Sequence, residues 1–184
     1  MVLLTNVITI FSCICLLAWP AFWNIVFYPF SKKICVKISD YIVKGCAPTM
    51  FSILKVYKNF KMSYSQENFD KLPEQFAVIS NHQSLFDIPI FMTFFKDKDV
   101  RFVAKDSLSR HIPLVSEMLR SHEHCMIPRR GGAGKAMRTL ESFGQRVMER
   151  NQIPIIFPEG TRSKDGNLGT FYSAGFRKIA EVTN

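Results

Sequence analysis

The feature that most constrains this chain is a run without any charged residue, from Val2 to Phe30. An α-helix crosses a bilayer with about 20 apolar residues, so the run is long enough to enter or cross a membrane. It lacks both the basic start and the small-residue cleavage site of a signal peptide, which favours a retained segment. Pro20 divides the run, so the segment either spans with a kink or bends within one leaflet.

The formal net charge of +9 is concentrated directly after this run. Residues 31–61 contain seven lysines and a single acidic residue, which supplies +6 of the total. On a helical wheel, five of these lysines point within about 40° of one direction: Lys33, Lys37, Lys44, Lys55 and Lys58. Beside a membrane segment, this stripe favours contact with anionic headgroups over an ordinary solvated face.

Two further residues shape this segment. We expect Pro48 to interrupt the helix, which weakens the phase match across it. Lys32 and Lys33, directly after the apolar run, predict that the rest of the chain lies on the cytoplasmic side of the membrane.

The length of 184 residues is enough for one modest core, and the hydrophobic fraction of 47% argues against disorder. We predict two parts: membrane-anchoring hydrophobic and amphipathic helices in residues 1–62, and a catalytic-size domain in residues 63–184. The five cysteines form no C-x-x-C pair and the chain has no N-x-[ST] sequon, so neither a disulfide framework nor a zinc site is indicated. A reducing compartment fits best.

Beyond Tyr64, short apolar runs alternate with helical patterns, which is typical of an α/β domain. Four of the runs are predicted strands: residues 76–80, 100–104, 124–128 and 153–157. The segment 134–151 between the last two predicts a helix, because its apolar positions recur at helical spacing.

Three of the four predicted strands end in polar, chemically capable sequences, "SNHQSLFD", "MIPRR" and "FPEGTRSKDG". Ligands of open α/β sheets bind beyond the carboxyl ends of the strands, so these sequences are expected to converge on one crevice. His82 and Asp87 are five residues apart, about 140° within one regular helix, which is too far for a direct bond. His82 must therefore lie in the turn before the helix, where Asp87 can fix its tautomer and make it a general base.

A protein nucleophile is missing from these sequences, since no G-x-S-x-G motif exists and "FYSAG" lacks the first glycine. A base without its own nucleophile activates one on a substrate, either a hydroxyl or water. Lys105, Arg129, Arg130 and Arg162 follow three different strands and are well placed for a phosphate. Glu159 is expected to offset this charge and to hold an arginine in position.

The three sequences resemble the conserved blocks of the glycerolipid acyltransferases. "NHQSLFD" is similar to the N-H-x-x-x-x-D block, "MIPR" to the second block and "FPEGTRS" to the third, in the right order over residues 81–163. The likeness is strongest to the 1-acylglycerol-3-phosphate acyltransferases. It implies an α/β fold with an acyltransferase-like sheet flanked by helices and an N-terminal membrane-associated helical segment.

The resemblance also implies a reaction, acyl transfer from an acyl thioester to a lysophospholipid hydroxyl, which gives phosphatidate in phospholipid biosynthesis. The catalytic roles then fall to His82, which deprotonates the hydroxyl, and Asp87, which orients it. Six residues are implied to bind the acceptor's phosphate: Lys105, Arg129, Glu159, Gly160, Thr161 and Arg162. The implied partners are membrane phospholipid and lysophospholipid, with acyl-CoA or acyl carrier protein as donor substrate. No cofactor, metal or nucleic acid is implied.

Three alternatives remain open from the sequence. The acceptor could be glycerol-3-phosphate or another lysophospholipid, the chain could hydrolyse thioesters with water, or it could be a catalytically impaired lipid-binding fragment. The last arises because family members usually continue beyond the third block with another apolar strand and further helices. We therefore expect residues 63–184 to be a catalytic domain truncated at its C-terminal end.

Overall fold

The computed structural model describes residues 2–63, 65, 67–110, 112, 115–128 and 130–183. The α-helices within these residues are α1 (Val2–Phe27), α2 (Lys32–Tyr41), α3 (Ala47–Lys58), α4 (Asp87–Phe94), α5 (Val115–Ser121), α6 (Gly132–Glu149) and α7 (Ser173–Thr183). A π-helical stretch, Ile42–Cys46, joins α2 to α3. Single 3₁₀ turns occur at Phe69–Lys71 and Asp106–Ser109.

A parallel sheet forms the centre of the part of the chain that follows the N-terminal helices. Its four described strands are β1 (Val78–Ile79), β2 (Val100–Lys105), β3 (Cys125–Ile127) and β4 (Ile153–Ile156). They lie in the order β1-β4-β2-β3, and every pairing is parallel. All four strands were predicted from the sequence, as was the helix between the last two, so the predicted α/β class is confirmed.

The sheet is covered on both faces, as all-parallel sheets are. Ile155 packs with Met92 and Phe95 of the α4 region on one face. Its neighbour Ile156 packs with Leu140 of α6 and Ile179 of α7 on the other. The alternation follows from the two-residue repeat of a strand. Helices α4 and α5 cover the first face and α6 covers the second. This is the arrangement that right-handed crossovers require, because the chain reverses direction across the sheet after β3.

The N-terminal helices pack on the α4 and α5 side of the sheet. Helix α1 lies against α2 and α3, α2 against α5, and α3 against α4. Ala47 at the start of α3 enters the same core as Phe102 and Ile155. The helices of residues 1–62 therefore share packing with the domain that follows them.

The region around Pro48 differs from the expected break. The chain stays helical from Lys32 to Lys58, and a π-helical turn takes the place of an interruption. The backbone N–H of Ala47 bonds to the carbonyl of Ile42, and Pro48 then lies in the first turn of α3, where its missing N–H costs little. A π-turn holds more residues than an α-turn, so it changes the angle between the lysines before it and those after it. The five lysines therefore do not share the one direction that was calculated for an unbroken α-helix.

Helix α1 has the length and composition to cross a membrane. Its apolar side chains are mostly exposed, and only 11% of its most apolar window is buried in the structure. Pro20 leaves the carbonyl of Leu16 without its helical partner, and the Cys46 thiol donates to that carbonyl instead, at 3.8 Å.

Candidate active site

The site lies where the parallel strands end together. His82 follows β1, Lys105 is the last residue of β2, and Glu159 follows β4. Phe102 of β2 pairs with Ile155 of β4, so Lys105, three residues on, lies level with the residues just after β4. The predicted convergence of strand ends on one edge therefore follows from the observed register.

His82 and Asp87 are in direct contact. His82 Nδ1 lies 2.7 Å from Asp87 Oδ2, and the two side chains are only 17% and 16% exposed. His82 lies in the turn before α4, and Asp87 is the first residue of that helix. The sequence predicted this arrangement, because the pair cannot meet within one regular helix.

The Asp87 carboxylate is fixed by its own loop. Oδ2 accepts the backbone N–H groups of Gln83 at 2.7 Å and Ser84 at 3.0 Å, as well as the His82 ring. A carboxylate can only accept, so Nδ1 of His82 carries the hydrogen that it donates to Asp87. Nε2 is then the unprotonated nitrogen, and it is the atom that can take a proton from a substrate.

Phe157 holds the plane of the histidine ring. The rings of His82 and Phe157 stack with centroids 4.3 Å apart and 20° between planes. Phe157 in turn lies beside Phe91 and Phe102, at 6.0 Å and 6.5 Å between centroids. Sequence reasoning missed this contact, although an aromatic residue at the end of β4, directly before "PEG", was a usable signal.

The third sequence block is tied to the first through the backbone. Ser163 N donates to the carbonyl of His82 at 2.7 Å. Gly160 adopts a left-handed φ of +63°, which glycine allows without strain, and its N–H donates to Phe157 O at 3.0 Å. The loop closes again where Tyr172 N donates to Pro158 O at 3.1 Å. These bonds place the "GTRS" turn beside the histidine.

Glu159 lies at the base of this loop and is 94% buried, since only 6% of it is exposed. Its Oε1 accepts the backbone N–H of Gly169 at 3.3 Å, and a Cβ at Gly169 would come within 3.5 Å of the carboxyl group. No ion pair joins Glu159 to an arginine among the described residues, and Arg129 lies outside them. The expected arginine partner of Glu159 therefore stays a prediction.

The remaining predicted phosphate ligands lie at the same edge. Lys105 is half-buried, whereas Thr161 and Arg162 are exposed in the turn that Ser163 anchors. The geometry thus brings together His82, Asp87 and the third-block turn, and it leaves the guanidinium of Arg162 open to solvent.

Three other titratable side chains among the described residues, His122, His124 and Cys125, are buried and have structural contacts or a shifted pKa. Burial lowers the pKa of His124 well below its usual value, and its Nδ1 accepts the backbone N–H of Phe102 at 2.9 Å. Burial likewise lowers the pKa of His122, whose Nε2 contacts Val36 O at 3.3 Å. Burial raises the pKa of Cys125 to about 12, so its thiol stays protonated near neutral pH.

Metal ligands do not cluster in the described part of the chain, where no group of three or more His, Cys, Asp and Glu side chains could hold an ion. The described site presents the paired His82 and Asp87 with Lys105 and Arg162 at the same edge of the sheet. This arrangement suits removal of a proton from a hydroxyl next to a bound anion.

Known proteins share both the sequence blocks and the fold. A family model described as Acyltransferase matches residues 63–183. A 1-acyl-sn-glycerol-3-phosphate acyltransferase from Cocos nucifera is 34% identical over 105 residues, which cover 57% of this chain and 33% of that protein. An enzyme of the same name from Helicobacter pylori is 31% identical over 104 residues, covering 56% of this chain and 42% of that protein.

The fold is similar to that of a solved structure, the 1-acyl-sn-glycerophosphate acyltransferase PlsC from Thermotoga maritima. The TM-score is 0.65 at 23% identity, with 98% of this chain and 69% of that chain covered. The aligned part of this chain spans about a third to two fifths of the length of the curated relatives named above. Because the family model covers well over half of the residues, this chain belongs to the acyltransferase family that the three sequence blocks indicated, the glycerolipid acyltransferases.

Proposed function

We propose that this protein transfers an acyl group from an acyl thioester to the free hydroxyl of 1-acylglycerol-3-phosphate and so forms phosphatidate. The observation that carries the proposal is the 2.7 Å contact between His82 Nδ1 and Asp87 Oδ2, which leaves Nε2 as a base at the edge of the sheet. The names of the Cocos nucifera and Helicobacter pylori relatives support the choice of acceptor.

The proposed chemistry begins with the acceptor hydroxyl, whose proton moves to His82 Nε2 as its oxygen attacks the thioester carbonyl carbon. Asp87 stabilises the imidazolium that results, because its carboxylate accepts the Nδ1 hydrogen bond. The tetrahedral intermediate then collapses, the carbon–sulfur bond breaks, and the thiolate takes the proton from Nε2. The ester and the free thiol leave, and the histidine returns to its starting state.

The proposed acceptor site is the cationic rim beside this base. Lys105 ends β2 at the level of the third-block turn, and Arg162 is exposed in that turn. The backbone bond from Ser163 to His82 holds the turn that contains Arg162 close to the proposed base, which supports this assignment. Arginine presents a planar fork that can hold two phosphate oxygens at once. Arg129 completes the set proposed from the sequence.

The membrane completes the proposal, because lysophosphatidate lies in a bilayer and must be reached from its surface. The exposed apolar side chains of α1 and the lysines of α2 support attachment there. Lys32 and Lys33 follow the apolar run, and this basic flank supports a catalytic domain on the cytoplasmic side.

The test is mass spectrometry of the lipids formed by purified protein with an acyl thioester and a panel of acceptors. We expect phosphatidate from lysophosphatidate, little product from glycerol-3-phosphate or from acceptors without phosphate, and none from a His82→Ala blank. Lysophosphatidate from glycerol-3-phosphate would instead identify a different acceptor. Free fatty acid formed as fast without acceptor as with it would identify a thioesterase.

A further inference from the structure

A groove of about 410 Å³ runs between the outer edge of β3 and helix α6, away from the histidine. Strand β3 pairs only with β2 among the described strands, and Cys125 and Met126 of β3 line this groove. The volume falls in the range typical of small-molecule sites.

Helix α6 explains the polarity of the groove. One stripe of the helix, which includes Leu140, Phe143 and Val147, is buried against the sheet. The neighbouring stripe faces the groove at helical spacing and carries Lys135, Arg138, Thr139, Ser142 and Arg146. Helix α6 therefore lines the groove with three cations and two hydroxyls, and no carboxylate is among the described residues that line it.

The three cations differ in how far they are already engaged. Arg146 donates to the carbonyl of Glu123 and lies over the Phe143 ring, 5.4 Å from its centroid. By contrast, Lys135 and Arg138 are exposed, and neither has an ion-pair partner within the described residues. The two exposed cations, Lys135 and Arg138, lie in the half of the groove nearest the carboxyl end of β3, whereas Arg146 is held by these contacts in the other half.

The groove opens on the opposite side of the sheet from the N-terminal helices. Helix α6 covers the second face with α7, whereas α1, α2 and α3 pack on the α4 and α5 side. A lipid acceptor would reach the base from the side of the N-terminal helices. The groove is open to a ligand that arrives through water.

We propose that this groove binds the phosphorylated nucleotide end of a coenzyme A thioester, the donor of the acyl group. The proposal rests on the proposed function, which requires an acyl thioester. Lys135 and Arg138 engage the nucleotide's phosphates through charge-assisted bonds, and Ser142 adds a hydroxyl donor.

The dimensions of the sheet agree with this assignment. Three strand spacings separate β3 from β1, about 14 Å in all, and the groove begins about 7 Å before the carboxyl end of β3. Measured within the plane of the sheet, the β3 side of the groove therefore lies roughly 16 Å from the His82 end. An extended pantetheine arm spans such a distance, so a nucleotide in the groove can deliver its thioester to the base.

The first experiment measures binding of coenzyme A to the full chain by calorimetry, without turnover. We expect Lys135→Ala and Arg138→Ala each to raise the dissociation constant about 3-fold to 10-fold, because each removes one phosphate contact from a partly exposed site. Arg177→Ala, an exposed arginine on α7, is the matched control and is expected to bind as the wild type does. Pantetheine, which lacks the nucleotide, is expected to bind the wild type and both groove variants equally.

The second experiment measures transfer from acyl-CoA to lysophosphatidate in the same variants. The donor KM is expected to rise with little change in kcat or in the acceptor KM, because the groove holds only the remote end of the donor. The proposal would be overturned if the wild type bound no coenzyme A. It would also be overturned if Lys135→Ala and Arg138→Ala bound coenzyme A as tightly as the wild type. A rise in the KM for an acyl carrier protein donor alone would overturn it as well, because the groove would then recognise a protein.

The two experiments separate this inference from the proposed function. Groove-dependent coenzyme A binding without phosphatidate formation keeps the groove and rejects the acceptor reaction. Phosphatidate formation with unaltered coenzyme A binding in the variants keeps the reaction and rejects the groove.

Discussion

The N-terminal helices and the sheet domain bury their side chains in opposite ways. Helix α1 exposes large apolar side chains, such as Leu3 at 77% and Phe11 at 66%. In the sheet domain, Ile153, Ile155 and Val147 are 1% exposed or less. Helices cover both faces of the sheet, whereas the apolar side chains of α1 stay exposed, as they are in a helix that contacts lipid. The comparison motivates the proposal that the first region attaches to a membrane and the second carries the chemistry.

The contact between the two regions includes buried polar side chains. Asn24 Nδ2 donates to Ser39 Oγ at 3.1 Å, and Ser39 Oγ lies 3.3 Å from Ser121 Oγ, with all three residues buried. This chain of side chains links α1, α2 and α5. Buried polar groups are costly unless they are paired, so the bonds favour one position of the helices on the domain. The helices are therefore held in a defined position relative to the active site.

The largest expected effect is a loss of turnover when His82 or Asp87 in the sheet domain is replaced. His82→Ala is expected to lower turnover by at least about 10²-fold, the scale of a lost general base, while vesicle binding and thermal unfolding stay unchanged. Asp87→Asn is expected to lower turnover too, because the amide cannot stabilise the imidazolium as a carboxylate does. Asp97→Asn, an exposed aspartate after α4, is the matched control. Near-normal turnover of a folded His82→Ala protein would reject the mechanism.

The acceptor site is the next test of the sheet region. Arg162→Lys is expected to raise the KM for lysophosphatidate about 10-fold, because a charge-assisted bond from the guanidinium fork is lost. The KM for the thioester is expected to change little in the same steady-state assay. Arg177→Lys on α7 serves as the control. Equal impairment of the two substrates would show that Arg162 does not bind the acceptor.

Replacement of a single lysine tests whether the N-terminal helices attach to anionic membranes. Lys37 is exposed on α2, and Lys37→Gln is expected to weaken binding to anionic vesicles about 5-fold, near the 1 kcal/mol typical of one basic residue at a membrane surface. The difference is expected to shrink as salt is added, because screening weakens the attraction. Turnover on a detergent-dispersed acceptor should not change. Arg177→Gln, on the opposite face of the sheet, is the control. An equal loss of vesicle binding in this variant would show that Lys37 has no special role in membrane binding.

The smallest effect concerns an ion-pair cluster between the two regions. Glu123 pairs with Lys32 of the N-terminal segment at 2.5 Å and with Arg150 after α6 at 2.6 Å. Hydrogen bonds from Lys32 and Arg150 lower the pKa of Glu123 from 4.5 to about 2. The folded pKa is depressed, so the contribution to stability is present above pH 4.5 and is lost as the pH falls towards 2.

Glu123→Gln is therefore expected to lower the free energy of unfolding at pH 7 by less than about 1 kcal/mol, since the three side chains are partly exposed. The difference from wild type should vanish near pH 2 in urea titrations followed by circular dichroism. Glu149→Gln, an exposed glutamate at the end of α6, is expected to show no such pH dependence. A difference that persists unchanged at pH 2 would mean that the ion pairs contribute nothing.

Local patterns accounted for much of the fold. Apolar runs identified every described strand, and the repeat in residues 134–151 identified α6, because burial on a sheet imposes these periods on the sequence. They failed at Pro48, where a π-turn keeps the chain helical, since tertiary packing of α2 and α3 stabilises a conformation that propensity disfavours.

The sequence by itself determined three features of this protein: an uncharged apolar run, a lysine-rich segment after it, and a histidine five residues before an aspartate at a strand end. These features follow from residue type and spacing alone. Only the tertiary structure decided the contacts between distant segments: Phe157 against His82, Ser163 bonded to the His82 carbonyl, and Ser39 between Asn24 and Ser121. Such contacts depend on which strands and helices become neighbours, and the sheet order β1-β4-β2-β3 cannot be deduced from the spacing of residues along the chain.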